Sequence, residues 1–104
     1  MIEVVWEFRV KSQHVAEFQR DYSDRGPWSA LFGSSPAYHG TKLLRDREDP
    51  LRFLTVDSWD DFAAYENFRA EHADEYRELD SHFERFTDSE RLVGIFEVLL
   101  NRSE

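Results

Sequence analysis

The sequence predicts an α+β domain of the ferredoxin-like type, with helices on one face of a four-stranded antiparallel sheet. Three observations lead to this prediction. Residues 2–10 place an apolar side chain at every second position, which is typical of a strand. Residues 38–57 contain two more strand-like runs, separated by a charged turn that ends at Pro50. A long helical stripe then precedes a last apolar run, which completes the order β-α-β-β-α-β within one domain of residues 1–104.

The first strand and its helix follow from simple periodicities. One face of the strand is apolar throughout and consists of Ile2, Val4, Trp6, Phe8 and Val10. Ser12 is the predicted N-cap of the next helix, whose apolar residues recur every three or four positions. Pro27 can begin a second, short helix that carries Trp28. Because the segment between the first helix and the second strand is longer than the connection requires, we expect it to form the wall or lid of a cavity.

The second and third strands are predicted at residues 38–46 and 51–57. Gly40 indicates a bulge or a close backbone approach in the second. The third is apolar on both faces, which predicts a central strand. Ser58 is the predicted N-cap of the main helix.

The main helical region carries a single apolar stripe and ends before a last strand. The stripe consists of Phe62, Tyr65, Phe68, His72, Tyr76, Leu79, Phe83 and Phe86. We expect a break in the helix within residues 71–74. Residues 87–90 are predicted to form a polar turn, and residues 91–100 the last strand. The tail of residues 101–104 is expected to be frayed.

Two crossovers of the usual hand predict the strand order 4-1-3-2 with both helical regions on one side. The other side would carry Val5, Leu54 or Phe53, and Ile95 or Phe96, depending on register. This face is too apolar to remain in water. We therefore predict a homodimer in which the sheets of two copies pack against each other.

Composition and charge exclude several classes of function. The net charge is −9, and residues 57–90 hold twelve acids against three arginines, which predicts a solvated acidic helix face and disfavours nucleic acid as a partner. The absence of cysteine rules out disulfides, thiolate metal sites and thiol catalysis. Because neither a signal peptide nor an apolar run of about 20 residues is present, we expect a cytoplasmic protein without a membrane partner.

Few side chains suggest chemistry. His72 is the one ionisable residue on the apolar stripe, so it is a candidate base or haem ligand, or else a structural histidine. Asp57 is either a carboxylate in a pocket or an acid at a helix entry. A candidate aromatic cleft, or simply core, consists of Trp6, Trp28, Tyr38, Trp59, Tyr65 and Tyr76. There is no glycine-rich phosphate loop, no serine nucleophile elbow and no histidine spacing of a metal site.

Several segments resemble the antibiotic biosynthesis monooxygenase family of dimeric α/β-barrel proteins. They are the opening VVWEFRVK, the run SPAYHGT at 35–41, and LTVDSW at 54–59 leading into Phe62 and Tyr65. The resemblance implies a ferredoxin-like protomer, a homodimer, and a pocket between sheet and helices in each subunit. Characterised relatives include cofactor-independent oxygenases of polycyclic aromatics and haem-degrading enzymes. Trp59 matches a tryptophan of the haem enzymes, but the first strand lacks their asparagine and His72 lies later than their histidine.

The resemblance therefore implies a cofactor-independent monooxygenase of polycyclic aromatic or quinol substrates. The predicted roles are His72 as base, Tyr65 and Trp59 as orienting donors, and Trp28 as a gate. The predicted substrate-binding residues are Trp6, Trp28, Tyr38, Asp57 and Tyr76, with no metal and no cofactor. Two alternatives stay open, namely a non-catalytic dimer that binds a small hydrophobic ligand or a protein, and a haem binder. Whether the chain is an enzyme at all is left open.

Overall fold

The computed structural model describes residues 1–99 and has the predicted order of elements. The strands are β1 Ile2–Val10, β2 Tyr38–Arg45, β3 Arg52–Trp59 and β4 Thr87–Glu97. All neighbouring strands are antiparallel, and their order is β2-β3-β1-β4. The predicted fold class, strand order and central position of β3 are confirmed.

Within residues 1–99, four helices and two 3-10 turns accompany the sheet. The helices are α1 Val15–Asp21, α2 Pro27–Phe32, α3 Phe62–Glu71 and α4 Ala73–Phe83, and the turns are Ser12–His14 and Glu84–Phe86. The predicted break lies at His72, whose backbone leaves the helical region between α3 and α4. None of these helices, all within residues 1–99, is long and apolar enough to cross a membrane.

The core consists of two aromatic clusters between the sheet and the helices. The first contains Phe8, Val10, Phe18, Tyr22, Phe53, Phe83 and Phe86. The second contains Ile2, Val4, Phe32, Trp59, Tyr65 and Phe68. Trp6 of β1 and Trp28 of α2 pack against both clusters, so these two indoles lie where the clusters meet.

Three predicted boundaries were wrong. Ser12 lies inside a 3-10 turn and makes no cap bond, because α1 begins three residues later. Ser58 belongs to β3, since pairing with β1 continues to the end of that strand, and Asp61 is the N-cap of α3. The Asp61 carboxylate accepts a hydrogen bond of 2.8 Å from the Ala64 N–H.

The third wrong boundary concerns residues 87–90, which were predicted as a turn. They form the start of β4, because their backbone pairs with residues 8–10 of β1. The strand ends at Glu97, and the predictions for residues 100–104 lie outside the described residues.

The predicted bulge at Gly40 is confirmed. Tyr38 pairs with Trp59 and Gly40 pairs with Ser58, so one extra residue is accommodated in β2 between the two pairs. Gly40 has φ +121°, a backbone conformation that residues other than glycine rarely adopt.

The face of the sheet away from the helices is part apolar and part ionic. Val5 pairs with Val56, and Phe96 of β4 pairs with Glu3 and remains 49% exposed. Phe53 lies on the helix side instead. Toward the other end of the same face, the Glu7 carboxylate binds the guanidinium of Arg52 at 2.5 Å and that of Arg91 at 3.0 Å.

Candidate functional site

A cavity of about 110 Å³ lies between the helix-facing side of the sheet and the helices. The sheet contributes Trp6, Phe8, Thr41, Thr55, Asp57 and Glu90. The helical side contributes Tyr22, Trp28, Ser29, Phe32, Tyr65, Arg69, Tyr76 and Asp80. Because these residues come from both core clusters, the cavity lies between the clusters. Seven of these fourteen residues are aromatic and seven are polar or charged, so the cavity combines apolar walls with groups that can orient a small molecule.

Asp57 is the buried acid of this cavity. It lies on β3 and shares the helix-facing side with Thr55, because strand side chains alternate between faces. Thr41 Oγ1 donates a hydrogen bond of 2.5 Å to Asp57 Oδ1, and it is the one donor to this carboxylate among the described residues. Burial raises the pKa of Asp57 to about 6. The hydrogen bond from Thr41 lowers this pKa, but its effect is the smaller of the two. The carboxylate can therefore accept and release a proton near neutral pH.

Tyr38 lies behind Thr41, next to the cavity wall rather than in it. Its hydroxyl is hydrogen-bonded to the Thr41 hydroxyl and lies 3.4 Å from Ser29 Oγ. The Ser29 hydroxyl donates to the backbone carbonyl of Ser23 at 3.0 Å. A continuous row of hydroxyls thus leads from Asp57 to the start of α2.

Two tyrosines and an arginine form the wall that faces the sheet. The Arg69 guanidinium carbon lies 5.6 Å from the centre of the Tyr65 ring and 5.5 Å from that of Tyr76. Burial raises the pKa of both phenols, so both remain protonated hydrogen-bond donors. Within residues 1–99 Arg69 forms no ion pair, so its charge is available to a ligand.

The side of the cavity formed by α4 and β4 is acidic. Burial raises the pKa of Asp80 on α4 and of Glu90 on β4, and the negative charge of Asp80 further raises the pKa of Glu90. In the part of the chain described, no three His, Asp or Glu side chains are grouped as a metal site. These acids therefore contribute charge to the lining and do not assemble as a set of metal ligands.

The structure brings five of the eight predicted site residues to the cavity, namely Trp6, Trp28, Asp57, Tyr65 and Tyr76. Tyr38 is adjacent to it. His72 and Trp59 are not part of the lining. The geometry therefore gives no support to their predicted roles as base and donor.

His72 and Trp59 have clear structural surroundings instead. His72 Nδ1 lies 2.8 Å from Glu75 Oε2, and its imidazole packs 4.2 Å from the Phe68 ring. Trp59 is fully buried, and its indole N–H has no hydrogen-bond partner among the described residues. Its ring contacts those of Phe32, Tyr38, Tyr65 and Phe68.

Sequence reasoning missed several lining residues that the patterns could have indicated. Thr55 lies two residues before Asp57 on the same strand face. Arg69 follows Tyr65 by four residues, and Asp80 follows Tyr76 by four, so each pair shares one helix face. No local signal identified Thr41, because its position depends on the bulge in β2.

Comparison with family models identifies one family. The family model for antibiotic biosynthesis monooxygenase matches residues 1–88. No curated protein matches the sequence. Among solved structures, SnoaB, a cofactor-independent oxygenase from Streptomyces nogalater, is 20% identical over 99% of this chain and 97% of its own, with a TM-score of 0.77.

Two other solved structures are similar to a comparable degree. A candidate antibiotic biosynthesis monooxygenase from Nitrosomonas europaea is 16% identical over 96% of this chain and all of its own, with a TM-score of 0.71. One from Bordetella bronchiseptica is 19% identical over 95% and 97%, with a TM-score of 0.72. At such identities, these likenesses establish a shared fold.

Proposed function

The chain belongs to the antibiotic biosynthesis monooxygenase family, and from that premise we propose that it is a cofactor-independent oxygenase of small phenolic compounds. One observation carries the proposal. Asp57, with a pKa raised to about 6 by burial, lines a cavity walled by aromatic rings and lies opposite protonated tyrosines and an arginine. Such a site can remove a proton from a phenol and hold the resulting anion.

The reaction follows from the chemistry of a phenolate. Asp57 takes the phenolic proton, and Arg69, with the hydroxyls of Tyr65 and Tyr76, stabilises the oxyanion. The electron-rich anion transfers one electron to O₂, and the resulting radical and superoxide combine at a ring carbon as a peroxide. Asp57 returns its proton to the peroxide, and loss of water then leaves a carbonyl. A phenol and O₂ thus give a quinone and H₂O, and a quinol and O₂ give a hydroxyquinone and H₂O. The substrate supplies the electrons that reduce oxygen.

The size of the cavity favours a single ring. A cavity of about 150 Å³ is known to hold benzene, and this one is about 110 Å³. Because this cavity is smaller than the one that encloses benzene, a phenol or quinol would fit only with part of the molecule at the opening. A polycyclic substrate would need Trp28 or another wall residue to move. The proposal accordingly takes the quinol class as substrate in preference to the polycyclic class.

Oxygen consumption tests the proposal directly. We expect the protein to accelerate O₂ uptake by single-ring quinols at pH 7, and to act poorly on tricyclic anthrone-type compounds, because of the cavity volume. The measurement is the uptake rate with an oxygen electrode, compared with a heat-denatured sample and with the quinol alone. Ligand binding by calorimetry without any uptake above these controls would overturn the oxygenase proposal and favour the non-catalytic binder.

We also propose that two copies associate through the sheet face that lies away from the helices. Val5, Leu44 and Phe96 on this face are apolar, and Leu44 and Phe96 are 43% and 49% exposed. A second copy of the chain would remove them from water. The ionic end, formed by Glu7 with its two arginines, would then lie at the rim.

Phe96→Asp is expected to break this dimer, because a carboxylate would be buried without a partner. The wild-type chain should sediment at roughly twice its mass of 12.4 kDa and the variant as a monomer at micromolar concentration. Ala63→Asp on the exposed side of α3 is the control and should remain a dimer. A monomeric wild-type chain would contradict the proposal.

A further inference from the structure

The bulge in β2 determines which side chains lie next to Asp57. In a regular strand, Tyr38 and Thr41 would point to opposite faces, since their separation is an odd number of residues. The extra residue between Tyr38 and Gly40 resets the alternation, so that Tyr38 pairs with Trp59 while Thr41 pairs with Asp57. Both hydroxyls therefore lie on the helix-facing side and are hydrogen-bonded to each other.

The direction of these hydrogen bonds follows from the ionised carboxylate. Asp57 as an anion can only accept, so Thr41 Oγ1 donates its one proton to Asp57 Oδ1 at 2.5 Å. Thr41 must then accept from Tyr38, whose proton is directed toward Thr41. This bond strengthens Thr41 as a donor, because consecutive hydrogen bonds polarise one another.

Building on the proposed function, we propose that Tyr38 and Thr41 are positioning residues for Asp57. Their hydrogen-bonded pair occupies Oδ1, favours the ionised carboxylate against the larger effect of burial, and leaves Oδ2 free to meet the substrate in the cavity. The Gly40 bulge is the backbone feature that makes the pair possible.

Other titratable groups face the same cavity without bonding to Asp57. They are Tyr65 and Arg69 of α3, Tyr76 and Asp80 of α4, Tyr22 after α1, and Glu90 of β4. None of them is a hydrogen-bond partner of Asp57 in the described part of the chain. Removing the Thr41 hydroxyl should therefore act on Asp57 and on Tyr38, its two hydrogen-bond partners, and on no other of these groups.

Thr41→Val tests this role, because it keeps the shape of the side chain and removes the donor. We expect the protonation midpoint of the Asp57 carboxyl to rise by roughly one pH unit, since a hydrogen bond to a charged group is worth about a factor of ten or more. Tyr38→Phe should shift it in the same direction by less. Thr41→Ser, which restores the hydroxyl, should titrate like the wild type.

The measurement is a ¹³C NMR titration of aspartate carboxyls, with the Asp57 signal assigned by its loss in Asp57→Asn. The spectra also show whether each variant is folded. An unchanged midpoint in Thr41→Val would overturn the positioning role. The midpoint of the acid limb of the pH–rate profile should shift to higher pH by the same amount. A shifted midpoint in a protein that consumes no O₂ would instead overturn the proposed function and leave the positioning role supported.

Discussion

Asp57→Asn is expected to lower the rate of quinol oxidation by roughly 10²- to 10⁴-fold, the usual contribution of a general base. Asparagine keeps the size of the side chain and still accepts the hydrogen bond from Thr41, so the cavity should keep its shape. The wild-type rate should fall as pH drops through about 6, because the carboxylate is then protonated. The measurement is O₂ uptake between pH 5 and 9.

The same variant should be more stable than the wild type at alkaline pH. Burial raises the pKa of Asp57 to about 6 from an ordinary 3.8, so the folded state favours the protonated acid. Its contribution to stability is present below about pH 4 and is lost as pH rises through about 6. The wild type should therefore be destabilised by roughly 3 kcal/mol at pH 8, and the uncharged amide of the variant removes that cost. Urea unfolding at pH 4.5 and pH 8 would measure the difference.

His72→Gln is the matched control for the assignment of the base. His72 lies outside the cavity lining and contacts Glu75 and Phe68, so we expect its substitution to leave turnover within about twofold of the wild type. If His72→Gln lost as much turnover as is expected of Asp57→Asn, and Asp57→Asn stayed active, the role of base would belong to His72.

Trp59→Ala is expected to cost about 3–5 kcal/mol in the free energy of unfolding, the usual range for a buried tryptophan. The side chain has no exposure to solvent and contacts four aromatic rings of its surroundings. Because domains of this size are stable by about 5–15 kcal/mol, a loss of this size would leave the variant close to unfolding. Urea unfolding followed by circular dichroism at one protein concentration would measure it.

Two further variants separate packing from chemistry at this position. Trp59→Phe should cost clearly less than Trp59→Ala, because a ring remains and the indole N–H that it removes has no partner among the described residues. Phe62→Ala, at a ring that is 46% exposed, should change stability by about 1 kcal/mol or less. If Trp59→Phe kept full stability but lost turnover, the predicted role of Trp59 as a donor would be supported instead.

The alternation of apolar residues predicted the sheet well, because few structures other than a strand bury the apolar residues of such a pattern. Prediction failed where pairing continues through polar residues. Ser58 and residues 87–90 carry signals typical of caps and turns, yet hydrogen bonding to β1 extends both strands through them. A local signal cannot reveal how far a neighbouring strand reaches.

The site was predicted in part for a similar reason. The aromatic lining follows from periodicity. The alternation in β3 puts Asp57 on the same face as Phe53, but only the structure shows that this face is the helix side. His72 shares the stripe of α3 and α4, but the break at that residue turns it toward Glu75. Thr41 depends on a one-residue shift in register, which only the assembled sheet reveals.

The distribution of the three tryptophans provides the chain with an optical reporter. Trp6 and Trp28 line the cavity, whereas Trp59 is enclosed in the core. A quinone formed in the cavity would quench the fluorescence of the first two indoles through close contact. The enclosed indole is one ring removed from the cavity, through Phe32 and Tyr65, so its emission would be quenched less and would change most when the chain unfolds. Occupancy and unfolding can therefore be followed separately, in one cuvette, by comparing the wild type with Trp→Phe variants at each position.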